Sequence, residues 1–470
     1  MPPKYAILFQ PEQEEIQASQ DFAHLLESFL APLLVALDQV LDKRLVRTLV
    51  QCCVAMVRFR NSKQGLLLSE LGSYMGGYLG LSPTATAGTK RLGKLLRSLK
   101  WSAAHIDHFL LEEASTEVER LKSQGKRILC LFDGSVLEKP ESRHLEATAP
   151  VLSSKAKRLT RSRPGLLFNL PSVRPIRVMG MEWTGTIITG LEGIPRLAVM
   201  RWWTTKGDYA AKMREIEEEV LRVLVRRWGP LLTFVFDRGY ASGPWLEVLA
   251  RLRVRFIIRW IKKHLFVDQD GRDKKLWEIG RGKRYLAHQL IRESSGLKLP
   301  CDLWWAPVRH PKYPHQLYLV KARVKGHVCY LITNERVQNE AQAWEIFFAY
   351  KRRWQIETSF RYGKCELALE SPRLWSVENR LKLLGIVLLV YAFLLFLLAD
   401  GHAERVQALL RLKCHRTGQR CQDALVPLYR LRWALSRLWN DCRPILGSLL
   451  PPNLETLQAL AFLRCLKGFS

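Results

Sequence analysis

Three acidic residues stand where they could do chemistry. Asp133 follows the apolar run Ile128-Leu-Cys-Leu-Phe132, Asp237 follows Leu231-Leu-Thr-Phe-Val-Phe236, and Glu357 lies within Ala349–Lys364. A carboxylate at the end of a buried strand carries a desolvation cost that a divalent cation or solvent can offset. The aspartates alone are weak signals, because Asp-Gly and Asp-Arg-Gly also make ordinary turns. Around Glu357 the pattern is more specific. Tyr350, Arg353, Glu357 and Lys364 are spaced by 3, 4 and 7 residues, which sets them near one line of an α-helix. A plain core helix would carry Leu or Val on that line. Here Ala349, Ile356 and Phe360 can do the packing instead. Glu357 is then free to face the two aspartates while Arg353 and Lys364 grip phosphates; the bland alternative is a solvated, salt-bridged face. Three carboxylates facing one point suit two Mg²⁺ or Mn²⁺ ions roughly ~4 Å apart, which activate a water or a 3′-hydroxyl and stabilise the leaving oxygen of an in-line displacement. No phosphate loop, His-Glu-x-x-His or Gly-x-Ser-x-Gly motif competes.

The elements around these residues predict an α/β fold. Apolar runs bounded by turn residues mark strands at 127–132, 176–181, 184–189, 196–203, 231–236 and 254–260, with amphipathic helices at 209–228 and 244–252. That order is the one expected of a ribonuclease-H-like core, here residues 126–260 and 328–400. Residues 261–327 read as a β-rich insertion, followed by a strand at 328–333 and one long helix over 341–367. A helical region over 1–125, with a helix at 22–41 broken at Pro32, precedes the core, and a basic helical region over 401–470 follows it.

The 470-residue chain has 73 Lys and Arg against 44 Asp and Glu, a formal charge of +29. With 48% hydrophobic residues it is not a disordered chain, and its charge implies a polyanionic partner, nucleic acid before anionic membrane. Two features suit a phosphate backbone. Helix-turn-helix character over 66–101 puts Lys90, Arg91, Lys94, Arg97 and Lys100 toward one face and Leu92, Leu95, Leu96 and Leu99 on the other. The span 147–181 holds Lys155, Lys157, Arg158, Arg161, Arg163, Arg174 and Arg177 with no acidic residue, which suits a basic loop beside the carboxylates. The ten cysteines show no Cys-x-x-Cys, and Cys414, His415 and Cys421 lack an evident fourth ligand, so reduced thiols in a cytoplasmic protein are expected. Residues 1–10 have no leader pattern, and the uncharged run Leu383–Ala399 reads as a buried core helix, so no membrane partner is expected.

Together, Tyr-x2-Arg-x3-Glu-x6-Lys, a strand ending Asp-Gly and another ending Asp-Arg-Gly-Tyr resemble the DDE transposases of bacterial insertion sequences, in the group with the Tyr-Arg-Glu-Lys signature (insertion sequence four type). The resemblance covers about residues 126 to 400. It implies metal-dependent cleavage at transposon ends and strand transfer into target DNA, with two Mg²⁺ or Mn²⁺ ions held by Asp133, Asp237 and Glu357. It implies that Tyr350, Arg353 and Lys364 hold terminal phosphates. It also implies double-stranded DNA as partner, both terminal inverted repeats and target, a dimer on paired ends, and a bacterial, nucleoid-associated setting. Members can stack a flipped base on an insertion tryptophan, for which Trp260, Trp304 and Trp305 are candidates. A nuclease without strand transfer and a non-catalytic, transposase-derived DNA-binding protein remain alternatives. The charge itself has a test: DNA affinity should fall steeply between about 50 and 200 mM salt, by roughly 10³-fold or more if some six phosphates are neutralised. A flat salt profile in a filter-binding titration would assign the charge to another purpose.

Overall fold

The computed structural model describes residues 12–59, 64–75, 85–141, 145–153, 176–292, 297–413 and 427–444. Most of the basic span 147–181, the turn at 79–84 and the residues Cys414, His415 and Cys421 lie outside the described residues. In chain order the helices are α1 (Gln13–Asp38), α2 (Lys43–Arg58), α3 (Leu68–Met75), α4 (Ala85–Arg97), α5 (Ala104–Ser123), α6 (Met213–Trp228), α7 (Gly243–Arg251), the short α8 (Leu276–Ile279), α9 (Glu340–Lys351), α10 (Trp354–Cys365), α11 (Val377–Leu397), α12 (Ala403–Lys413) and α13 (Leu428–Asp441). The strands are β1 (Ile128–Glu138), β2 (Ala149–Leu152), β3 (Arg177–Thr189), β4 (Arg196–Trp203), β5 (Leu232–Phe236), β6 (Arg255–Arg259), β7 (Leu265–Val267), β8 (Asp273–Lys275), β9 (Ala287–Arg292), β10 (Lys298–His310), β11 (Tyr313–Val324) and β12 (His327–Thr333). The fold is mixed α/β with one large mixed sheet.

The chain forms two compact units. One comprises Met1–Glu112, Leu137–Gly180 and Arg361–Ser470; the other comprises Glu113–Val136 and Met181–Phe360. In the first unit, α11 is buried along nearly its whole length, including Arg380 and Lys382. Lys382 Nζ donates to the carbonyls of Leu96 (3.0 Å) and Ser98 (2.8 Å), which satisfies acceptors at the end of α4 that the helix itself cannot. This hydrophobic stretch therefore serves as core, as its length suggested. Helices α3 and α4 touch backbone to backbone: a Cβ on Gly88 would lie 2.4 Å from the Gly72 carbonyl oxygen. Leu92, Leu95 and Leu96 are buried, and Lys90, Lys94, Arg97 and Lys100 are exposed, with Arg91 half-buried. Leu99 departs from the expected apolar line. The helix stops at Arg97, so Leu99 leaves its face and is 97% exposed.

In the second unit the strand order is β3-β1-β5-β6-β12-β11-β10-β7-β8, with β4 on β3 and β9 on β10. The centre is parallel: β1 runs beside β5 and β5 beside β6. The strands of the β-rich segment continue the same sheet through the antiparallel β10–β11–β12 ladder. Three expectations are corrected. Helix α1 runs through Pro32 without a break, its Phe29, Leu30, Leu33 and Leu37 buried on both sides of the proline; packing outweighs one lost backbone bond. The two strands expected at 176–181 and 184–189 are one, β3, because Glu182 and Trp183 pair with Trp203 and Trp202 of β4 and keep the ladder going. The long helix expected over 341–367 is two helices with a turn at Arg352–Arg353.

A glycine lets α10 approach the sheet. A Cβ at Gly185 would meet Met200 Sδ at 2.6 Å and Phe360 Cε1 at 2.8 Å. Phe360 also packs on Trp183, ring centroids 4.3 Å apart. Gly185→Val should therefore destabilise the protein by about 1–3 kcal/mol through overpacking, read from the urea midpoint. An unchanged midpoint would show that α10 does not need this contact.

Candidate active site

The apolar strands place the two aspartates. Parallel register pairs Phe132 of β1 with Phe236 of β5, so Asp133 and Asp237, each the next residue, leave adjacent strands at the same level. Strand β1 does not stop at Asp133, as its sequence suggests, but runs on to Glu138. Its pairing with β5 ends at Phe132, and that is what frees the Asp133 side chain. Beyond Asp237 the chain turns at once: Tyr240 N donates to the Asp237 carbonyl at 3.1 Å.

Glu357 is in the first turn of α10, the end of a helix that favours a negative charge. Arg353, in the turn before it, joins two of the carboxylates. Its Nη1 donates to Asp133 Oδ2 at 3.1 Å and its Nη2 to Glu357 Oε1 at 2.5 Å. The Arg353 side chain is only 4% exposed, against 16% for Asp133 and 37% for Glu357. Successive i→i+3 bonds (Arg353 N to Tyr350 O, Gln355 N to Arg352 O, Ile356 N to Arg353 O) tighten the chain here and break the expected single helix line. Arg352 anchors the break by donating to Thr189 Oγ1 (2.6 Å) and to the carbonyls of Gly193 (2.6 Å) and Gly190 (3.1 Å).

The electrostatics show how crowded the carboxylates are. Burial pushes the Asp133 carboxyl up to about 7; Arg353 and the Gly134 amide oppose this, and Asp237 and Glu357 add to it. Burial works against the Arg353 cation, but Tyr350, Asp237, Glu357 and Asp133 together hold its pKa above the ordinary value. Tyr350 is pushed up to about 12, chiefly by burial. Its buried hydroxyl, like Arg353 Nε, has no hydrogen-bond partner.

Asp133, Asp237, Glu357, Tyr350 and Arg353 thus fall in one unit. Lys364 is on the same helix as Glu357 but past the unit boundary at Arg361, and Lys90, Arg91, Lys94 and Arg97 belong to the first unit. Among the insertion tryptophans, Trp260 is 2% and Trp304 8% exposed, while Trp305 is half-buried. Sequence reasoning missed Arg259, which stands level with Asp237 because Phe236 pairs with Ile258. It also missed Arg352; three consecutive cations at 351–353 inside an apolar helix were the available signal.

The donors suit a hard divalent ion in kind: three carboxylates, one of them held up near neutrality partly by the other two, share one guanidinium. As the side chains stand, no three His, Cys, Asp or Glu residues among those described are gathered closely enough to hold a metal. Arg353 occupies the ground between Asp133 and Glu357.

Comparison with known proteins gives the class of site. The family model for the transposase DDE domain matches residues 213–393, a span with Asp237 and Glu357 inside it and Asp133 upstream. No curated protein matches the chain. A cryo-EM structure of piggyBac transposase, a synaptic complex with hairpin DNA, aligns over 99% of this chain and 79% of that one, at 10% identity and a TM-score of 0.39, too slight a likeness to argue from.

The raised Asp133 pKa has a sign. A carboxyl held at about 7 in the fold against 3.8 normally binds its proton more tightly when folded. Its contribution to stability is complete below about 4 and is lost as pH rises through about 7. Metal-free protein should lose roughly 2–4 kcal/mol across that window, and Asp133→Asn should flatten the profile in denaturant titrations. The same slope in both proteins would contradict the assignment.

Proposed function

We propose that the protein is a DNA transposase of the bacterial insertion-sequence type with the Tyr-Arg-Glu-Lys signature, built on a ribonuclease-H-like core. It cleaves at transposon ends and joins them to target DNA. One observation carries the reading: the β1–β5 register brings Asp133 level with Asp237, and Arg353 ties Asp133 to Glu357. The match of 213–393 to the transposase DDE domain supports it independently.

Asp133, Asp237 and Glu357 would hold the Mg²⁺ or Mn²⁺ ions. Bound there, the ions would supply Lewis-acid activation of water or a 3′-hydroxyl and stabilise the leaving oxygen. The protein's own groups do the rest. Arg353 neutralises Asp133 and Glu357 while the carboxylates wait, and with Tyr350 it contacts a terminal phosphate. Lys364 holds a second phosphate by charge. The exposed Lys90, Lys94 and Arg97 on α4 follow the backbone of the terminal repeats, and a dimer on paired ends, in the bacterial cytoplasm, completes the assembly.

Glu357→Gln should keep end binding within about twofold and lower strand cleavage by at least roughly 10³-fold, the scale expected when a transition-state charge contact is lost. Band-shift and nicking assays on one terminal-repeat duplex separate the two effects. Cleavage near the wild-type rate would remove Glu357 from the chemistry.

A further inference from the structure

A second set of residues bears on both aspartates without belonging to the carboxylate cluster. Tyr240, 5% exposed, closes the turn after Asp237. Its ring meets Phe132 edge-on with centroids 5.7 Å apart and lies 5.2 Å from Phe236. Those two phenylalanines immediately precede Asp133 and Asp237. One ring therefore touches the base of both aspartate-bearing strand ends.

The ring is in turn fixed from α6. The Tyr240 hydroxyl is hydrogen-bonded to Glu217, which is 3% exposed. Arg214 Nη1 donates to Glu217 Oε2 at 2.8 Å, and Arg214 Nη2 donates to the Gly239 carbonyl at 3.2 Å, inside the Asp237 turn. The Arg214 guanidinium also lies over the rings of Tyr240 (5.3 Å) and Trp245 (5.2 Å). Burying a carboxylate, a guanidinium and a phenol together is costly unless each is partnered. Here each is, and a satisfied polar network of this kind is rigid.

We propose that Arg214, Glu217 and Tyr240 form a clamp that sets the position of Asp237 relative to Asp133, and so act as positioning residues for divalent-ion binding. The inference rests on the carboxylates being the metal ligands. A metal site tolerates only small displacements of its ligands, and partners one shell out commonly change metal affinity by about 10–100-fold. Tyr240→Phe keeps the ring on both phenylalanines and loses only the Glu217 bond. Tyr240→Ala loses both.

The test is Mn²⁺ titration of the full-length, DNA-free protein, with free Mn²⁺ read by electron paramagnetic resonance and folding checked by circular dichroism. The clamp expects Asp237→Asn to abolish the tight site, Tyr240→Phe and Glu217→Gln to weaken it about 10-fold, and Tyr240→Ala to weaken it further. Their affinity for terminal-repeat DNA without metal should stay at the wild-type value. Wild-type Mn²⁺ affinity in folded Tyr240→Phe and Glu217→Gln, with Asp237→Asn defective, would overturn the clamp and leave the metal site standing. Wild-type affinity in Asp237→Asn would overturn the metal site and the clamp with it.

Discussion

Like charges held close together must be neutralised, and the second unit is organised around that requirement. Three carboxylates, from β1, from the end of β5 and from α10, lie near enough that two of them raise the pKa of the third. One buried guanidinium, Arg353, joins Asp133 and Glu357 in their place between strand and helix. A pair this desolvated is a poor source of stability, because removing charges from water offsets much of the attraction. Its value lies in keeping the carboxylates together until a stronger cation and a phosphate arrive.

The rest of the unit supplies the alignment. Parallel pairing of β1 with β5 fixes the two aspartates at one level without any contact between their side chains. Gly185 removes the side chain that would hold α10 away, so that Phe360 reaches Trp183 and Met200. Arg352 pins the turn that points Arg353 inward by binding three groups beyond the end of β3 and in the loop after it. Strength here comes from backbone pairing and apolar packing, and the charged groups are carried on that frame.

Much of this was legible in the sequence because it follows from short-range pattern. Continuous apolar runs marked β1 and β5 and therefore both aspartates. The polar line Tyr350–Arg353–Glu357 stood out from a helix that should have been apolar. What could not be read depended on pairing partners and on side-chain direction. The extent of β1 past Asp133 and the continuity of β3 through Glu182 and Trp183 are decided by what lies alongside. The helix break at Arg352–Arg353 is invisible to helical spacing, which contains no glycine or proline there. Its cause is the set of acceptors waiting for Arg352. The same break turns Arg353 from an outward-facing phosphate contact into a buried partner of carboxylates.

The central claim is that Asp133, Asp237 and Glu357 meet at a common divalent-ion site. Anomalous diffraction at the manganese edge, from crystals grown with Mn²⁺ and a cleaved terminal-repeat duplex, tests it most directly. The account expects anomalous density bounded by oxygens of all three carboxylates, with the Arg353 guanidinium withdrawn from between Asp133 and Glu357. Manganese bound elsewhere while the Arg353 bridges stay intact would contradict it.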